Sequence, residues 1–206
     1  MMEIRGLIEK IIKDMEKNGG LKNVVWVAAG GSHDGHYAAQ YFMDRESTQV
    51  RSQQMTSSEF VYAPPKVVGK TSIVVLTSMR GTKETIEAAK VARELGAVTI
   101  SQYVDESELT EVCDYNVKYG SIWEDDKDQG KTNAGNALRI AMSIVDIVEG
   151  YKYYYEAMEA FAKVQNIYEK AKEYCEPLAE KWAKEMKNEK VITVLASGPL
   201  YGSCLL

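Results

Sequence analysis

The chain has 206 residues, 45% of them hydrophobic and 27% charged, ordinary values for a globular fold with room for a substantial core. Its net charge of −5, with basic residues spread rather than clustered, gives no electrostatic footing for nucleic acid or for an anionic membrane surface. Cys113, Cys175 and Cys204 form no C-x-x-C pair and fit a reducing, cytoplasmic compartment; no apolar run reaches about 18 residues and the N-terminus lacks an apolar signal core, so neither a membrane span nor a secretory leader is expected.

Ile4, Leu7, Ile8, Ile11, Ile12 and Met15 recur at the helical period and predict a helix over 2–17, ended by Asn18-Gly19-Gly20. Val24 to Ala29 is a continuous apolar run, the pattern of a strand buried on both faces. Gly30-Gly31-Ser32 follows, and a helix is expected from His33 to about Arg45; the more polar stretch 49–55 suits an edge strand. Ser72 to Thr77 repeats the buried-strand pattern, followed by the turn Ser78-Met79-Arg80-Gly81 and a helix from Thr82 to Leu95 that Gly96 closes. Ala97 to Ser101 reads as a third strand and Tyr115 to Tyr119 as a fourth. This alternation predicts an α/β fold with a doubly wound parallel sheet.

From Gly130 the pattern is helical, with Ala137, Leu138, Ile140, Ala141, Ile144, Val145 and Val148 on one face and a break at Gly150. A second long helical region carries Met158, Phe161, Val164, Ile167, Tyr168, Ala171 and Cys175, and Pro177 is expected to restart the helix as a first-turn residue that runs on to Met186. Val191 to Ala196 is again a buried-strand pattern, followed by Ser197-Gly198-Pro199, and this repeats the layout of 24–32. The expected organisation is therefore a first unit with flanking helices over 1–187 and the start of a second, incomplete unit over 188–206. A lone strand and turn cannot bury its own faces, so the chain is expected to be part of a longer protein; an intact mass near 23.1 kDa would contradict this.

Two loops carry the chemistry. Gly30-Gly31-Ser32 and Ser78-Met79-Arg80-Gly81-Thr82 each join a buried strand to a helix, the place where open α/β sheets bind ligands. Free N–H groups at a helix start favour an anion, Gly31 allows close approach of the backbone, Ser32, Ser78 and Thr82 offer hydroxyl donors, and Arg80 offers a charge-assisted bond. N-capping is the competing role for Ser32 and Thr82. Neither the dinucleotide pattern G-x-G-x-x-G nor the Walker pattern is present, and no cofactor is expected. His33 and His36 stand at helical spacing beside Asp34, but without a third ligand a pocket-mouth or subunit-contact role is favoured over a metal. Glu59 is a weak acid–base candidate set against a role in starting a short helix after Ser57-Ser58. Glu124 to Asp128 lacks the glycine and final glutamate of a calcium loop and reads as a solvated loop. Lys131 and Thr132, at the start of the next helix, either contact an anionic ligand or cap that helix. Tyr151, Tyr153, Tyr154 and Tyr155 suggest a subunit contact.

With these residues in place, the chain resembles the sugar isomerase (SIS) domain family, on V-V-W-V-A-A-G-G-S at 24–32, S-S-E-F at 57–60, L-T-S-M-R-G-T-K-E-T at 76–85 and the helix at 87–97. Within it, the double-domain fructosamine 6-phosphate deglycases are most alike. The resemblance implies a flavodoxin-like three-layer αβα fold with long C-terminal helices leading into a second, truncated SIS unit. It implies a phosphate loop at Ser78, Gly81 and Thr82, with Arg80 standing where the family has a second serine. Ser32 matches the serine beside the sugar, and Lys131 and Thr132 match a substrate-contacting helix start. The implied activity is deglycation of a fructosamine 6-phosphate to glucose 6-phosphate and an amino acid, by a homodimer whose catalytic glutamate and histidine lie past Leu206. An amino-sugar-phosphate isomerase or deaminase, or a non-catalytic sugar-phosphate-binding regulator, are the alternatives.

Overall fold

The computed structural model describes residues 3–121, 128–198, 200 and 201. Five strands, β1 (Asn23–Ala28), β2 (Arg51–Thr56), β3 (Ser72–Thr77), β4 (Val98–Tyr103) and β5 (Tyr115–Lys118), form one all-parallel sheet in the order β2-β1-β3-β4-β5. The polar β2 lies at one edge, as its sequence implies, while every residue of β1 and β3 is buried. Side-chain alternation then sorts each strand between two cores.

One face carries Val24, Trp26, Ile73, Val75 and Ile100. It is covered by α1 (Ile4–Met15), α3 (Tyr37–Glu46) and α7 (Asn133–Glu149) through residues such as Ile8, Ile11, Met43, Ile140 and Ile144. The opposite face carries Val25, Val27, Val74 and Leu76. It is covered by α4 (Ser57–Tyr62), α5 (Lys83–Glu94) and α6 (Glu108–Val112) through Phe60, Ala88, Ala89, Ala92 and Leu109. This is the three-layer doubly wound fold. Cys113 is buried on the second side, and burial pushes its thiol up to about 12, which keeps it protonated. Among the described residues no helix is long and apolar enough to cross a membrane.

Four expectations are corrected. The helix expected from His33 to Arg45 is two: α2 (Gly31–Asp34) and α3. At the break Gly35 lies so close to Asn133 that a Cβ there would stand 2.4 Å from the amide nitrogen. Pro177 does not restart a helix. After α8 (Tyr154–Phe161), α9 (Val164–Met186) runs straight through it. Pro177 deprives the Glu173 carbonyl of its usual donor, but α9 has no buried residue and solvent can fill that place. Val191 to Ala196 forms no strand; Val191, Val194 and Leu195 are exposed, and no described strand pairs with it. The segment then returns to α3, where Tyr201 packs on Tyr37 with ring centroids 5.2 Å apart. The tyrosine cluster is divided: Tyr154 is buried with its hydroxyl 3.3 Å from Ser143 Oγ, Tyr151 stands edge-on to Phe42, and only Tyr153 and Tyr155 of the four are exposed.

The end of α7 is pinned to the α3–β2 turn by Glu149. Its carboxylate accepts from Ser47 Oγ, from Thr48 N at 2.8 Å and Oγ1 at 2.7 Å, and from Gln49 N at 3.2 Å. Partial burial pushes the carboxyl up, but these donors outweigh it and hold it below the ordinary glutamate range. A depressed folded-state pKa gives stability that is present above the unfolded value and lost as pH falls through the folded one. Glu149→Gln is therefore expected to lower stability by about 1–3 kcal/mol at pH 7. In urea melts the difference from wild type should shrink as pH falls below about 4.3; a difference constant down to pH 2 would remove the assignment.

Candidate functional site

The strand order reverses between β1 and β3, whose outward connections diverge to opposite faces of the sheet. At such a switch point the carboxyl ends of two neighbouring strands leave a crevice. Here it is a cleft of about 290 Å³, lined by Ala29 and Ser32 after β1 and by Thr77, Ser78, Met79, Arg80, Gly81 and Thr82 after β3. The second of these loops is fixed by its backbone. Ser78 N donates to the Gln102 carbonyl at 3.1 Å, and the Met79 carbonyl accepts from Val104 N and Asp105 N at 3.1 and 3.0 Å. Gly81 turns the loop with φ +73°, where a Cβ would also meet Ser107 Oγ at 2.5 Å, so any other residue here would move the loop.

The hydroxyls have separable roles. Ser78 is buried, and its Oγ accepts from Thr82 N at 2.9 Å, which leaves its own O–H to donate. Thr82 occupies the N-cap position of α5, yet its side chain makes no capping bond. Its Oγ1 is instead 2.7 Å from Thr85 Oγ1, which is 2.8 Å from Ser57 Oγ, forming a chain of hydroxyls from the second core to the rim. Ser78 thus ties down the N–H of the N-cap residue, and no side chain caps the first turn of α5. Ser32 lies inside α2, whose N-cap is Gly30, near the Tyr119 hydroxyl, which burial pushes up to about 12 against the opposing effect of Ser32. Gly31 opens α2 immediately before it. Arg80 reaches across the exposed rim to Asp105, Nε to Oδ2 2.8 Å.

The cleft therefore gathers Ser32, Ser78, Arg80 and Thr82 from the residues expected by sequence, but its lining does not include Gly31, Lys131 or Thr132. Thr132 caps α7, its Oγ1 accepting from Gly135 N at 3.2 Å. Lys131 pairs with Asp128 at 3.1 Å and lines a separate hollow of about 390 Å³ with Lys10, Lys118 and Arg139. The acidic stretch expected at 124–128 lies outside the described residues except for Asp128. Glu59 is exposed in the first turn of α4, whose cap is Thr56 rather than Ser57 or Ser58. The histidines diverge, because α2 and α3 are separate. His33 Nδ1 is 3.2 Å from Asp34 Oδ1, whereas His36 is fully buried with Nε2 2.6 Å from Thr77 Oγ1, so neither the one-face metal geometry nor a pocket-mouth place for His36 is realised. Thr77 is a lining residue that sequence reasoning missed; its signal was a hydroxyl following the apolar run 73–76 at the carboxyl end of β3.

Comparison with known proteins agrees with this geometry. The chain is 32% identical over 197 residues to fructosamine deglycase FrlB of Bacillus subtilis (strain 168), covering 95% of this chain and 59% of that protein. A structure from Salmonella typhimurium LT2 assigned as a phosphosugar isomerase superposes with a TM-score of 0.92 at 34% identity, over 99% of this chain and 62% of the other. A second, from Bacillus subtilis and likewise assigned, gives 0.87 at 30% identity over 100% and 63%. The chain thus spans about three fifths of the length of these relatives. No protein-family profile matches it. From the strand order, the switch-point cleft and this likeness over nearly its whole length, the chain belongs to the sugar isomerase (SIS) domain family.

Proposed function

We propose that this chain is the sugar-phosphate-binding unit of a fructosamine 6-phosphate deglycase. The observation that carries the reading is the switch-point cleft, whose lining brings the hydroxyl-bearing Ser32, Ser78 and Thr82 together, with Arg80, at the start of α5. A phosphate dianion needs several fixed donors and a positive helix end, and these residues supply both. Arg80 pairs with Asp105 at this rim, Nε to Oδ2 2.8 Å. Likeness to a deglycase supports a ketosamine phosphate as the substrate.

In this reading the phosphate anchors an open-chain ketosamine at one end. A base then removes a proton from C1 and the proton is returned at C2, giving an imine at C1. Water adds to that imine, and the protonated amine leaves as the C1 carbonyl of glucose 6-phosphate forms. The acid and base are assigned to a second, related unit beginning near residue 188, in a homodimer working in the cytoplasm. Likeness to phosphosugar isomerases supports a second reading, in which the same proton transfer between C1 and C2 occurs without loss of an amine.

The full-length protein should be incubated separately with fructoselysine 6-phosphate and with glucosamine 6-phosphate, and release of glucose 6-phosphate from the first and of fructose 6-phosphate from the second measured. Release from the first alone is the expected result. Release from neither, with sugar-phosphate binding retained, would remove the deglycase reading in favour of a binding role.

A further inference from the structure

The most unusual polar group near the cleft is not in it but beneath it. His36 is fully buried, with its ring 5.6 Å from that of Trp26. One ring nitrogen, Nε2, lies 2.6 Å from Thr77 Oγ1, and the other, Nδ1, has no hydrogen-bond partner among the described residues. Thr77 itself lines the cleft beside Ser78. Its hydroxyl has no second described partner. Gln102, its register neighbour on β4 and on the same face of the sheet, has both amide atoms unpartnered and so does not accept from it.

A neutral imidazole carries a single N–H, and the two tautomers make opposite predictions for Thr77. With the proton on Nδ1, a buried donor is orphaned and Nε2 draws the Thr77 hydrogen inward, so only oxygen lone pairs face the cleft. With the proton on Nε2, the orphan is a lone pair, the better tolerated of the two defects, and Thr77 Oγ1 accepts from the ring. Its own hydrogen is then left for a group in the cleft. Burial supports the neutral form, driving the His36 pKa down to about 3.

We infer that His36 is a positioning residue of the cleft: by donating from Nε2 to Thr77 Oγ1, it turns the Thr77 hydroxyl into a donor toward the phosphate of a bound sugar phosphate. This rests on the cleft being the phosphate site. It assigns to His36 a role that neither ligand contact nor metal binding would give it, and adds a fourth hydroxyl donor to Ser32, Ser78 and Thr82.

Two measurements on the full chain test it. Long-range nitrogen–proton NMR resolves the tautomer directly, since His33 and His36 are the only two histidines. The expected result is a proton on Nε2 of His36; a proton on Nδ1 overturns the inference without any variant having to fold. Calorimetric titration with fructose 6-phosphate then gives the coupling. Thr77→Val and His36→Phe should each weaken binding about tenfold, and the double variant should be no weaker than Thr77→Val alone. His36→Gln, which can place an amide donor near the same point, should restore most of the loss. Independent, multiplying losses overturn the positioning role. Loss in Ser78→Ala with Thr77→Val unchanged overturns it while leaving the cleft assignment intact, whereas a wild-type chain that does not bind fructose 6-phosphate overturns both.

Discussion

Replacing Ser78 and Thr82 together by alanine is expected to weaken fructose 6-phosphate binding by about a hundredfold while lowering the stability of the fold by only about 1 kcal/mol. The asymmetry comes from how the two hydroxyls are used. Ser78 Oγ accepts from Thr82 N at 2.9 Å, so its alanine replacement unpairs the N–H of the α5 N-cap residue and, separately, removes a hydroxyl-bearing side chain from the lining of the cleft. The bond to Thr82 N contributes an ordinary helix-start stabilisation, whereas a hydrogen bond to a charged phosphate is worth about 1.5–3 kcal/mol. Thr82 contributes nothing as a cap through its side chain. Its removal leaves Thr85 still bonded to Ser57 at 2.8 Å, so no buried hydroxyl is stranded. The two losses are close enough to couple, and their sum is therefore given for the pair rather than for each. Titration calorimetry and thermal melting on the same samples separate the effects. An unchanged affinity accompanied by the small stability loss would mean that both residues serve the helix alone.

The residues that build this cleft differ in how openly the sequence displays them. β1 and β3 are legible because a strand buried on both faces must be apolar throughout, and the only helix-start residues that can follow such strands at a tight turn are small and polar. The glycine at 81 and the serines at 32 and 78 are found by that rule alone. β2 is legible as an edge from its polarity, whereas the full strand order β2-β1-β3-β4-β5 is set by pairing between strands distant in sequence. Periodicity also finds α1, α5 and α7. Long-range contacts are not legible. The break between α2 and α3 falls at Gly35, which packs against Asn133 from far along the chain, and His36 beyond it turns inward to Thr77 instead of standing beside His33 on a single helix face. Lys131 and Thr132 have the composition of an anion site, but the side chain of Thr132 closes α7 and that of Lys131 turns to Asp128. Pro177 misleads for a different reason. The rule that proline starts helices assumes that the lost hydrogen bond must be avoided, and on an exposed helix it need not be. The run at 191–196 has the composition of a central strand without a described neighbour to pair with, and strand formation is a property of the pair.

Trp26→Ala is expected to remove about 3–5 kcal/mol of stability, a large share of the 5–15 kcal/mol typical of a domain. Trp26 is fully buried at the middle of β1, between Gln54 of β2 and Val75 of β3 in register, and its indole N–H donates to Ser52 Oγ at 2.9 Å. Alanine there empties the centre of the larger core, where the sheet meets α3 and α7, and strips Ser52 of a donor although its own bond to Gln40 at 2.8 Å remains. Trp26→Phe keeps an aromatic ring in that space and loses the N–H, so its effect should be smaller, about 1–2 kcal/mol. Urea melts should show a lower midpoint for both variants with an unchanged slope, in that order of severity. The substitution also reaches the cleft, because the Trp26 ring is one wall of the space that holds His36 against Thr77. At a temperature where Trp26→Ala is still folded, fructose 6-phosphate affinity should fall with it, and Trp26→Phe should bind nearly as well as wild type. A loss below about 1 kcal/mol for the alanine variant would contradict the placement of β1 at the centre of the sheet. Full affinity in a folded Trp26→Ala chain would show that the cleft does not depend on the packing beneath it.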